Sequence, residues 1–178
     1  MLRTRFLVFA LVATAMPAVV SARDVVVQVN ARSGPWPLAP NAEKMRFGRG
    51  DSAPPTIVPF DLGGGKIGVF GEGTTATPDK TGIGPLGVDD DAVDDTLGPG
   101  KSRFPSFYTA KILYPANRHA LAAIFVDGKG VVVGRPFMVG TGVRVTIPEG
   151  AAGLSLGFND TEFSGNSGAL SVTVQIPE

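Results

Sequence analysis

Apolar residues fall on alternate positions at Leu154, Leu156 and Phe158, and again at Leu170, Val172, Val174 and Ile176. A period of two places such residues on one face of an extended chain, so this stretch predicts two half-buried strands joined by the polar loop 159–168. Punctuation rules out the helical alternative: 24 Gly and 15 Pro spread along 178 residues leave no long window with helical periodicity. Short runs rich in β-branched residues between Gly, Pro and Asp clusters predict further strands at 25–30, 56–61, 66–70, 121–126, 131–135 and 143–147. Asp127-Gly128-Lys129-Gly130 lies between two of them as a hairpin turn. The fold class expected is all-β, a jelly-roll-like β-sandwich.

The first 22 residues read as a leader rather than as part of the fold. Arg3 and Arg5 form a basic start, an apolar run follows, and Val20-Ser21-Ala22 is a small-residue cleavage site. Pro17 and that site cut the run below what a bilayer span needs, which disfavours an anchor. The expectation is a signal peptide at 1–22, a single domain at 23–178, and a secreted or periplasmic protein with no membrane span in the mature chain. The chain has 16 basic and 16 acidic residues, and two basic ones lie in the leader, which leaves the mature balance at −2. Such a surface gives no electrostatic footprint for nucleic acid. There is no cysteine, so no disulfide supports the fold, and with a single histidine a zinc site lacks ligands.

Two regions read as looser. Residues 31–55 hold five prolines and the only tryptophan, Trp36, and belong to an edge or loop, with Trp36 expected as a plug against the sandwich rather than as a sugar platform. Residues 71–108 read as a long loop enclosing five aspartates within 89–95, a solvated charge block first and a weak cation or sugar-hydroxyl site second. The loop 159–168 itself carries oxygen donors at Asn159, Asp160, Thr161, Glu162, Ser164, Asn166 and Ser167. Oxygen-only donors suit a hard cation such as calcium, and they also simply make turns; both readings stand at this point.

Three segments, 65–87 with its Gly84-Pro85-Leu86-Gly87 turn, 120–142 ending in Pro136-Phe137-Met138-Val139-Gly140, and 153–172 with Asn159-Asp160 leading to Asn166-Ser167-Gly168, carry a family resemblance. Together they resemble the galactose-specific, calcium-dependent bacterial lectins of the PA-IL type, over roughly two thirds of the mature chain. The resemblance implies a galactose-binding-like sandwich in which one calcium ion is also the sugar site. It implies Asp160 as the bidentate carboxylate, Asn166 as an amide ligand, and Thr77 and Glu162 as positions lending backbone carbonyls. It implies sugar contacts at Asp91 and Asp94 as well as at Asp160 and Asn166. Gly165 stands where the family has a second side-chain ligand, which implies a weakened calcium site.

Catalytic chemistry finds little purchase. His119, directly before a predicted strand, reads as a surface or interface residue; no Gly-x-Ser-x-Gly elbow is present. Carboxylate pairs such as Asp91 or Asp94 with Asp160 are the remaining route to glycoside hydrolysis. The reading adopted is a non-enzymatic carbohydrate- or glycoconjugate-binding domain, with self-association left open. The alternative is a structural or surface-associated module of the same fold that has lost the calcium and sugar site.

Overall fold

The computed structural model describes residues 22–41, 46–93, 98–105 and 116–177. Among them the strands are, in chain order, β1 (Ala22–Asn30), β2 (Thr56–Pro59), β3 (Lys66–Glu72), β4 (Thr75–Thr77), β5 (Lys80–Ile83), β6 (Ala92–Val93), β7 (Ala116–Asn117), β8 (Leu121–Val126), β9 (Val132–Met138), β10 (Val143–Thr146), β11 (Gly153–Phe158) and β12 (Ser167–Pro177). Short 3-10 turns lie at Ala39–Asn41 and Pro99–Lys101. Among the described residues no helix is long and apolar enough to cross a membrane.

The first sheet is built on β12, whose 11 residues serve several neighbours. β1 runs antiparallel along one edge, setting Val25, Val27 and Val29 opposite Val174, Val172 and Leu170. The other edge takes β3 along 171–175 and then β4 at Ser167 and Gly168. β10 continues outward from β3, and β5 from β4. Alternation along β12 holds as the sequence predicts: Leu170, Val172, Val174 and Ile176 are buried while Ser171, Thr173 and Gln175 are half-buried.

The second sheet has the order β2-β11-β8-β9, all antiparallel, with the β8–β9 hairpin turning at Asp127. There the Asp127 carboxylate accepts from the backbone N–H groups of Lys129 and Val131 and closes the turn. One apolar core collects Ile67, Val69, Val172 and Val174 from the first sheet and Leu121, Leu154, Leu156 and Phe158 from the second. Two antiparallel sheets sharing one such layer make a β-sandwich.

Two expectations need correction. β11 is not half-buried: every residue in it is buried, Ser155 included. The chain at 33–36 passes across it, with the Phe158 N–H donating to the Ser33 carbonyl at 3.0 Å. Gly157 lies so close to the Gly34 carbonyl that a Cβ there would collide with it, so only glycine fits. Trp36, 1 % exposed, packs edge-on against Phe47 at 5.1 Å, and Phe47 packs against Phe163 at 5.7 Å. Trp36 is thus the expected plug, and it chains the covering segment to the loop after β11. The second correction is that 71–108 is not a plain loop. It contains β4, β5 and β6, pieces of two to four residues too short to show periodicity, ordered by pairing with the far end of β12, with each other and with β7.

β11 and β12 belong to different sheets, so the loop between them crosses the rim of the sandwich.

Candidate functional site

The rim loop is pinned before its side chains are placed. The Asn159 N–H donates to the Ala120 carbonyl at 2.9 Å, and the Asn159 carbonyl accepts from the His119 N–H at 2.8 Å. Further along, Asp51 Oδ2 accepts from the N–H groups of Phe163 and Ser164 at 3.0 and 2.9 Å. Burial opposes ionisation of Asp51, yet these backbone donors outweigh it and hold its carboxyl below the ordinary carboxylate range.

Asp160, 4 % exposed, sits at the centre. Its Oδ1 accepts from the N–H of Thr161 at 2.7 Å and of Glu162 at 3.3 Å. Its Oδ2 meets His119 Nδ1 at 2.8 Å and accepts from Asn166 Nδ2 at 3.1 Å. His119 is fully buried, which corrects the expectation of a surface residue. Its backbone is left-handed (φ 59°), tolerable for histidine in a turn, and its ring stacks on Phe158 with centroids 4.5 Å apart. On the far side of that ring, Nε2 meets the Thr75 hydroxyl at 3.1 Å.

Thr75, His119 and Asp160 therefore form the hydroxyl–imidazole–carboxylate string that sequence reasoning did not find. In a hydrolase such a string activates the hydroxyl. Here Thr75 is 4 % exposed and its hydroxyl donates to the Ile83 carbonyl at 3.2 Å. Neither Thr75 nor His119 lines the adjoining cleft, whereas Asp160 does. As arranged, the string orients the carboxylate.

That cleft, about 560 Å³ in volume, is walled by Asp160, Glu162 and Asn166 from the rim loop, Thr77 and Asp79 from the β4–β5 turn, and Asp91 and Arg118 from the segments flanking β6 and β7. Of the sequence-predicted site residues it brings together Thr77, Asp91, Asp160, Glu162 and Asn166. Asp94 lies outside the described residues, as do residues 1–21, where a leader is expected.

Arg118, missed by sequence reasoning, organises the opposite wall. Its Nε donates to Asp91 Oδ2 at 2.6 Å, and its terminal nitrogens fork onto Asp79 at 2.9 and 3.3 Å. Burial works against the charge on Arg118, but the Asp91 and Asp79 partners more than offset it and raise its pKa. The Thr77 hydroxyl, donating at 2.7 Å, and then Arg118 hold the Asp79 carboxyl low. Glu162 pairs with Arg49 at 2.9 Å on the open side, where both side chains are more than two-fifths exposed and the pair contributes at most about 1 kcal/mol.

The calcium site implied by the family resemblance does not fit this donor set. An ionised carboxylate offers about four lone-pair positions, and the donors named above occupy all four on Asp160. A Cβ at Gly165, where the resemblance implies a second side-chain ligand, would collide with Pro78 Cγ. Asn166 Oδ1 is buried with no hydrogen-bond partner.

No protein-family model matches the chain, and a search of curated proteins returns no match.

Proposed function

We propose that the chain is a secreted carbohydrate-binding domain of the galactose-binding-like sandwich class, and that sugar hydroxyls are recognised in the cleft beside Asp160. The observation that carries this reading is the meeting of Thr77, Asp91, Asp160, Glu162 and Asn166 around one cleft, although they come from three stretches far apart in sequence. Planar carboxylates and a guanidinium held in fixed geometry suit hydroxyl groups, which both donate and accept. Asp91 and Asp79 are preset by Arg118, so ligand binding loses little side-chain entropy in ordering them.

A second reading has its own support. A structural or surface-associated module keeps the sandwich without a sugar site, and the Pro78 ring against Gly165 is what such a chain would tolerate.

A glycan-array screen of the exported protein separates the two. Binding to a defined set of glycans, weakened by Asp91→Asn, supports recognition in the cleft. A silent array with a folded protein supports the module.

A further inference from the structure

The geometry points to a cleft that works without calcium, in which His119 and the Asn166 amide hold the place that an ion takes in the lectins this chain resembles. The inference deepens the carbohydrate reading and rests on it for the identity of the ligand, but not for the chemistry at Asp160.

A bidentate ion needs both oxygens of the carboxylate. At Asp160 Oδ2 it would have to displace His119 Nδ1, at 2.8 Å, and Asn166 Nδ2, at 3.1 Å. The imidazole has nowhere to go: it is fully buried, stacked on Phe158, and engaged through Nε2 with Thr75. Displacing it strands a buried N–H, the costly outcome for a polar group away from water. Asn166 Nδ2 is committed as well, since it also donates to the Ala31 carbonyl at 3.3 Å, which leaves Oδ1 as the one atom of that amide without a partner. At Gly165, where the resemblance implies a second side-chain ligand, Pro78 packs so closely that a side chain would collide with it, so the geometry at 165 and the filling of Asp160 point the same way. The carboxylate's charge is met by donors from the chain itself. The ligand is then held directly, its hydroxyls donating to Asp79, Asp91 and Glu162 and accepting from Arg118, with no ion between.

The chain contains a single histidine, so its imidazole signals identify themselves in a nitrogen-15 NMR spectrum. In the exported protein a proton on His119 Nδ1 should be protected from exchange, and neither that signal nor the melting temperature should change between chelator and millimolar calcium chloride. Asn166→Asp takes away one of the two donors on Asp160 Oδ2 and leaves the other, His119, in place. With the imidazole still there, that variant should stay as indifferent to calcium as the parent. A saturable calcium response in the parent, lost in Asp160→Asn, would overturn the inference, as would a calcium-dependent melting temperature in a folded Asn166→Asp variant. A silent glycan array together with a calcium-indifferent parent would sink the carbohydrate reading and leave the metal-free assignment standing.

Discussion

Replacing Asp160 by alanine tests whether the buried string at the rim is a structural necessity. The substitution removes the acceptor of four donors at once: two backbone N–H groups, His119 Nδ1 and Asn166 Nδ2. Water entering from the cleft can replace it for Thr161, Glu162 and Asn166, which line that cleft. His119 does not line it and is fully buried. An unsatisfied buried donor costs about 1–3 kcal/mol, so the loss should be of that size. Asp160→Asn is the control. It keeps an oxygen for the Thr161 N–H and turns an amide toward His119, which can accept through Nδ1 by shifting its proton to Nε2 and donating to the Thr75 hydroxyl. The asparagine variant should therefore lose well under half of what alanine loses. Urea unfolding measures both, through a midpoint that moves at constant slope. An alanine variant within about 0.5 kcal/mol of the parent, the range of surface changes, would refute the reasoning.

Three further outcomes follow from the packing and the charges. Phe158→Ala should cost about 3–5 kcal/mol in the same unfolding assay, because the ring is fully buried and is also the platform for His119; a surface-sized loss would contradict that burial. Gly165→Asp, which the family pattern alone would favour as a restored ligand, should instead destabilise by about 1–3 kcal/mol through overpacking against Pro78 and bring no calcium response in a melting scan. The Asp51 carboxyl is held below its ordinary 3.8 in the folded chain, so its stabilising contribution is fully present above that value and is lost as pH falls through the lower folded pKa. Asp51→Asn should accordingly flatten the acid side of a melting-temperature profile, and a profile as steep as the parent's would show that the staple to Phe163 and Ser164 contributes nothing.

The sandwich was legible because its information is local. Leu170 to Ile176 alternate, and that alternation alone assigns a face to each residue. β11 reads the same way yet is buried on both faces, because the segment across it, Ser33 to Trp36, lies more than a hundred residues earlier and carries no periodicity. The candidate site divides similarly. Asp160 and Asn166 stand out by residue type and spacing, whereas His119 does not, since its burial comes from the Asn159 carbonyl and the Phe158 ring, contacts made only when β8 and β11 pair. Arg118 precedes β8 as an ordinary basic residue. Its meeting with Asp79 and Asp91 depends on the short strands β5 to β7, which are too short to show periodicity. Thr77, Asp91, Asp160, Glu162 and Asn166, which the resemblance singles out, line one cleft, but its chemistry could not be read from type and spacing, because His119 and Asn166 reach Asp160 Oδ2 only in the folded chain.

The central claim is that a glycan is recognised at this cleft, and the most direct measurement is a titration of the strongest array ligand against the parent and Arg118→Lys. Lysine keeps the charge and loses the planar fork that sets Asp79 and Asp91. The parent should bind saturably and one-to-one, and the variant should show a dissociation constant about tenfold or more weaker, the loss of roughly 1.4 kcal/mol, with the fold intact by circular dichroism. No binding by the parent, or equal affinity in a folded variant, would contradict it.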